Sequence, residues 1–224
     1  MSMIDLTLPL QSGMRGVEIE AKRTVKRDGW NASTYHLYLH SGTHMDAPLH
    51  FGCTDQTIDE IPLERCIGLA WVADLTHLPS RSIITVEDLG KFAEQLEPGH
   101  SLILRTGWSK HVNDPDYYRN ELHRIGPALA TWCVERQVKM LGVEAPSVAD
   151  VNSLEELTAI HRILLTGNVI IVEGLANLDQ INQDQILFAA LPLRIKDGDG
   201  SPCRAVAITN PVPDSVAYLL SDRK

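Results

Sequence analysis

Four short, almost uninterrupted apolar runs constrain this chain most: CIGLAWVADL (66–75), SLILRT (101–106), VKMLGV (138–143) and VIIVE (169–173). Runs of that length without polar alternation read as buried strands. Helix signals stand between them. Thr85-Val86-Glu87-Asp88 offers an N-cap with an acid at the third helical position, which predicts a helix to about Leu96 before Pro98-Gly99 turns the chain. Pro127 suits the first position of a helix through ALATWCVERQ (128–137). Ser153-Leu154-Glu155-Glu156 is a capping box opening LEELTAIHRILL (154–165), and Thr166-Gly167-Asn168 ends that helix. Residues 17–25 and 33–40 read as two strands around the turn Arg27-Asp28-Gly29, and RAVAIT (204–209) as a last strand. Hairpins mixed with crossover helices imply an α/β fold with a mixed sheet. With no repeat, low-complexity tract or linker, residues 1–224 are expected to form one domain.

The stretch HSGTHMDAPLHF (40–51) is of another kind. Gly42 and Pro48 argue against a helix there, so the segment is expected to be largely extended. In extended backbone His40, His44, Asp46 and His50 share parity and line one side, with Leu39, Met45, Ala47 and Leu49 on the other. Three imidazoles and a carboxylate form a borderline-to-hard donor set suited to zinc or manganese. The zincin motif does not apply, because no Glu follows the first His and Gly42 interrupts any helix. Downstream, Leu154, Leu157, His161, Leu164 and Leu165 are expected on one helix face, placing His161 on the buried stripe. Glu173 ends VIIVE, where an unpaired carboxylate among Val and Ile is costly and a cation is the natural compensator. His161 and Glu173 are therefore expected to complete the first metal site or to hold a second ion.

Composition narrows the function class. A net charge of -9 with no dense basic cluster gives little support to nucleic-acid or anionic-membrane binding. Lys22, Arg23, Lys26 and Arg27 merely flank the expected hairpin. Cys53, Cys66, Cys133 and Cys203 are scattered, which fits reduced thiols in a cytoplasmic protein. MSMIDLTLPL lacks a signal-peptide pattern, and no stretch reaches membrane-spanning length. His36, His77, His100, His111 and His123 show no ligand spacing and are expected at the surface or in caps. Asp114-Pro115-Asp116-Tyr117-Tyr118 reads as a turn into a short helix, and nothing points to an organic cofactor.

HSGTHMDAPLHF together with HRILLTGNVIIVEGL (161–175) resembles the cyclase-type metal-dependent hydrolases, which include bacterial kynurenine formamidase and isatin hydrolase. The pattern H-x-G-T-H-x-D-x-P-x-H is the specific part. IDLTLPL, LILRTGWSKH, DPDYY and GSPCRAVAI follow in the family's order, so the resemblance spans most of the chain. It implies an α/β fold on a β-barrel-like mixed sheet flanked by helices, a homodimer or higher homo-oligomer, and hydrolysis of small amides through a metal-bound hydroxide. It makes His40, His44 and Asp46 the primary ligands of Zn²⁺ or Mn²⁺, and His50 a catalytic histidine beside the metal. Asp46 would bridge to a second ion held by His161 and Glu173 in formamidase-like members, whereas isatin-hydrolase-like members carry one manganese. N-formylkynurenine is the best single named substrate; an isatin-like cyclic amide and a catalytically inactive metal- or ligand-binding protein are the alternatives.

Two departures bear on the substrate. Where many members carry Pro and an aromatic residue in the pocket wall, this chain has SGMRGVEIEAK (12–22), leaving Trp30 and Trp108 as candidate ring platforms. Glu144 in GVEAPS stands where the family often has Asp, and is expected to reshape the pocket wall.

Overall fold

The computed structural model describes residues 2–210, so residues 1 and 211–224 of the expected domain lie outside the described residues. The strands are β1 (Ser2–Asp5), β2 (Val17–Arg23), β3 (Ala32–Leu37), β4 (His44–Asp46), β5 (Ile67–Asp74), β6 (Ile83–Ile84), β7 (Ser101–Arg105), β8 (Arg124–Ile125), β9 (Met140–Val143), β10 (Ile170–Glu173), β11 (Gln185–Pro192) and β12 (Gly200–Thr209). The helices are α1 (Val25–Asp28), α2 (Phe92–Gln95), α3 (Pro115–Asn120), α4 (Pro127–Glu135) and α5 (Leu154–Thr166). None is long and apolar enough to cross a membrane.

The main sheet runs β12-β11-β5-β7-β9-β10-β4, and β4 pairs back to β12, closing a mixed barrel of seven strands. The pairs β5–β7, β7–β9 and β9–β10 are parallel; the remaining ladders are antiparallel. This is the α/β barrel-like fold the sequence led us to expect. β12 can serve three neighbours because it is long: Gly200–Pro202 pair with β4, and Val206–Thr209 pair with β1. β7, β9 and β10 are buried on both faces, as continuous patterning requires, whereas β5 alternates buried and half-buried residues. Ile103, Met140, Ile170 and Val172 join Met45, Phe188 and Ala205 in one core inside the barrel. Their strand neighbours Leu102, Leu104, Leu141 and Ile171 pack outward against α4 and α5 through Leu129, Ile160 and Leu164.

Several local expectations are corrected. The helix expected over 85–96 is a 3₁₀ turn at Glu87–Leu89 followed by α2, broken at Gly90 with φ +53°. In α5 the buried face is Ile160, His161, Leu164 and Leu165, whereas Leu154 in the first turn is 76% exposed because that end projects beyond the core. The capping box there is half formed: Ser153 Oγ accepts from Glu156 N at 3.3 Å, but Glu156 accepts instead from Asp150 N. The hairpin β2–β3 forms with a helical turn at its tip, and its second strand ends at Leu37, not at residue 40. β11, which carries two ladders of the barrel, had no distinct signal in QILFAALP.

Candidate metal centre

β4 is three residues long yet sits between two strands. His44 lies opposite Glu173 and Asp46 opposite Ile171 on β10, while Gly200 and Pro202 of β12 face Asp46 and His44. Cross-strand partners share a face, so His44, Asp46 and Glu173 point outward with Ile171, toward α5 and its His161. Two glycines make the close approach possible. A Cβ on Gly174, at φ +68°, would meet the Gly42 carbonyl at 2.4 Å, and one on Gly200 would meet the His40 ring at 2.6 Å.

Within residues 40–51 the expected strand is confined to His44–Asp46, with Ala47 still extended beyond it. His40 comes in on a turn, and His50 on a 3₁₀ turn at Pro48–Phe51. All four side chains converge nonetheless. His40, Asp46 and His50 form one group with metal-holding spacing, and His44, Asp46 and Glu173 another, so Asp46 belongs to both. His44 Nδ1 donates to the Gly42 carbonyl at 3.0 Å, and His161 Nδ1 donates to the Leu157 carbonyl at 2.7 Å. Both contacts fix the ring with Nε2 turned inward, the arrangement that orients imidazole ligands. From there His44 Nε2 is 3.6 Å from Asp46 and 3.3 Å from Glu173, while His161 Nε2 is 3.7 Å from Asp46 and 3.4 Å from Glu173.

The fit to a divalent cation rests on Asp46. Its Oδ2 is buried and accepts no hydrogen bond, an expensive state for a carboxylate oxygen. Spacings of 3.3–3.7 Å are too long for good N–H···O bonds. They are close to the roughly 3.0–3.4 Å between neighbouring donors when each sits about 2.0–2.2 Å from a shared ion. His, Asp and Glu donors match the borderline-to-hard set expected from the sequence.

Electrostatics follow from burial and from these pairings. Burial opposes charge on His40, but Asp46 at 2.8 Å outweighs it and raises the pKa to about 9. His44 and His161 are likewise raised: burial opposes, and the adjacent Glu173 carboxylate with the negative charge of Asp46 outweighs it. Burial works against the Asp46 and Glu173 carboxylates as well, yet the surrounding imidazoles hold both below the usual range. His50 differs. Burial lowers its pKa, and the positive neighbours His40 and His161 add to that against the opposing pull of Asp46.

Asp199, in the β11–β12 turn, was missed in the sequence. Its Oδ2 lies 3.1 Å from His40 Nε2 and 3.3 Å from His50 Nδ1, and the two rings stack at 3.7 Å. Phe51 stacks on His161 at 4.3 Å and closes the other side. A cavity of about 500 Å³ opens beside His40 and His44.

Neither candidate tryptophan lines the cavity. Trp30 is exposed, and Trp108 is buried with its indole N–H donated to the Tyr118 carbonyl at 2.8 Å. Glu144 does not form the wall either: its carboxylate is consumed by N–H and O–H donors of residues 106–109. His123, expected at the surface, is buried against the Leu78 carbonyl. The short helix expected after the Asp114 turn is α3, and Asp114 caps it by accepting from Tyr117 N.

Residues 4–150 match the Cyclase family, described as "Putative cyclase". The chain is 33% identical over 177 residues, 79% of each protein, to kynurenine formamidase of Bacillus thuringiensis (strain Al Hakam). In fold it is similar to isatin hydrolase A from Labrenzia aggregata bound to benzyl benzoate, with a TM-score of 0.83, 23% identity, and coverage of 92% of this chain and 93% of that one. A structure titled as a potential metal-dependent hydrolase with cyclase activity matches at a TM-score of 0.76 and 25% identity, covering 92% and 96%. With the expected motif residues gathered at one buried centre and the family matched across most of its length, this chain belongs to the cyclase-type metal-dependent hydrolases.

Proposed function

We propose that this chain hydrolyses a small amide, with N-formylkynurenine as its substrate, using one or two ions of Zn²⁺ or Mn²⁺. The observation that carries the reading is the buried, unsatisfied Asp46 Oδ2, 3.7 Å from the inward-turned Nε2 of His161, in a carboxylate shared by both donor groups, with His50 of lowered pKa beside them. His40, His44 and Asp46 would hold the ion, and His161 with Glu173 would complete its shell or hold a second. When bound, such an ion lowers the pKa of water toward ~7 and polarises a carbonyl. The protein's own groups handle the proton. Asp199 fixes His50 through Nδ1, leaving Nε2 free to take a proton from the attacking water. The same Nε2 returns it to the departing amide nitrogen as the C–N bond breaks, releasing formate and the amine. A depressed pKa keeps His50 neutral, and thus able to accept, near pH 7. Asp46 and Glu173 balance positive charge at the centre and stay ionised.

Exposed Ile19, Trp30 and Tyr35 on and around the β2–β3 hairpin support a homodimer or higher homo-oligomer that covers them. Free thiols at Cys53, Cys66, Cys133 and Cys203 support a cytoplasmic setting. The deciding experiment follows formate release from N-formyl-L-kynurenine by metal-loaded protein, with a chelated sample alongside. Rapid, chelator-sensitive release is expected. Stoichiometric metal without turnover would pass the substrate to isatin, whose ring-opening is followed in the same assay; silence on both would leave a metal-binding protein without catalysis.

A further inference from the structure

The segment 11–15 forms one side of the cavity and brings an arginine to it. Arg15 lines the cavity beside His40 and His44, and so does Arg119 of α3. The two come from distant elements, each anchored independently. The Arg15 carbonyl accepts from Ser41 Oγ at 2.9 Å, one residue from His40. α3 is capped by Asp114, and the hydroxyl of its Tyr118 donates to the Glu144 carbonyl at 2.6 Å. Ring contacts link Arg15 to the metal centre: its guanidinium carbon is 5.9 Å from the Tyr38 ring, which is 5.3 Å from the His40 ring. Among the described residues neither guanidinium is ion-paired. The two are close enough that Arg15's positive charge, after burial, helps to lower the Arg119 pKa. Asp116 is the one Asp or Glu among the lining residues, so the Arg and Asp side chains leave the wall with a net positive charge.

Two arginines that line one cavity beside the candidate metal centre, neither ion-paired among the described residues, favour an anion there. We propose that Arg15 and Arg119 bind a carboxylate of the substrate, so that the cavity selects an amide of amino-acid type over a neutral amide or lactam. Guanidinium suits this role because its fork matches a carboxylate and stays charged. The proposal rests on the amide-hydrolase reading, and its test separates the two.

The probes are N-formyl-L-kynurenine and its α-carboxamide, which share the scissile bond and differ only in the charge of the head group. The ratio of their kcat/KM values should favour the acid. Arg15→Met and Arg119→Met should each lower that ratio roughly 10–100-fold, as expected for lost charge-assisted hydrogen bonds, chiefly through KM. Arg119→Lys should restore part of it. Turnover with a ratio near one, or a ratio untouched by either substitution, overturns the carboxylate site while leaving the hydrolase intact. A second measurement needs no turnover: calorimetric binding of L-kynurenine against its carboxamide to the metal-loaded protein. Preference for the acid there, without hydrolysis of either formamide, keeps the carboxylate site and sinks the formamide as the substrate; no preference counts against the site.

Discussion

The inner and outer halves of the metal centre are built from the same residue types and behave differently. In the inner half, His44, Asp46, His161 and Glu173 are each at most 3% exposed, and both rings are fixed by backbone carbonyls. In the outer half, His40, His50 and Asp199 hold one another by side chains alone, and the Asp199 side chain is 42% exposed. Backbone-anchored donors in a dry site have one geometry, which favours holding an ion. Donors held by each other near solvent can exchange partners and protons. On the proposed function, the difference divides chelation and proton transfer between the halves, with Asp46 and His40 at the seam.

Asp46→Asn attacks that seam and should have the largest effect. Both donor groups lose their shared carboxylate, so dialysed protein should hold no stoichiometric metal by elemental analysis, and turnover should vanish. The metal-free fold should also weaken by about 3–5 kcal/mol in chemical denaturation, because the imidazoles lose their buried counter-charge. Retained metal would mean that the halves do not share a ligand. His44→Ala, confined to the inner half, should likewise lose metal and activity together.

His50→Ala should separate the halves cleanly. Metal content should be unchanged, because every inner ligand remains, while kcat falls by roughly 10²–10⁴-fold with the loss of general acid–base help. Full turnover would remove His50 from the mechanism. Asp199→Asn is milder. It keeps the ring contact but removes a negative charge that raises the His50 pKa. We expect about a 10-fold loss, in the range seen for groups that orient a functional imidazole. The acid limb of the rate profile should shift to lower pH; an unmoved limb would show that Asp199 does not act through His50.

This division also sorts what was legible in the sequence. The motif residues His40, His44 and Asp46 lie within seven residues, and His50 four beyond, so close spacing alone brought them together even though the extended parity was wrong around Gly42 and Pro48. Glu173 was legible as a charge ending an apolar strand, and His161 as a polar residue on a buried stripe. Leu154 was misplaced because periodicity gives a helix face but not how far the core extends along it. Asp199 was not legible. It sits in a polar turn where acids are ordinary, and it reaches His50 only because β12 pairs with β4 across some 155 residues of chain. Barrel closure and the β11 ladders are long-range pairings of the same kind, which local patterning does not encode.

The smallest effect lies at the seam residue His40. In the metal-free chain its two ring nitrogens face Asp46 and Asp199, so both carry protons, and the folded pKa is about 9 against an ordinary 6.5. A raised pKa contributes stability that is fully present below the unfolded value and is lost as pH rises through the folded one. His44 and His161 act in the same direction, whereas Asp46 and Glu173, held low, contribute stability that is lost only as the solution becomes strongly acid. Metal-free protein should therefore soften between pH 6.5 and 9. An ion displaces those protons, so its binding strengthens over the same window. The melting-temperature gap between loaded and metal-free protein should widen from pH 6.5 to 9 by several degrees, since 1 kcal/mol moves Tm about 2–4 °C at this chain length. His40→Gln should flatten part of the softening of the metal-free protein, and a metal-free melting temperature that does not fall across that window would show that these imidazoles hold no exchangeable proton.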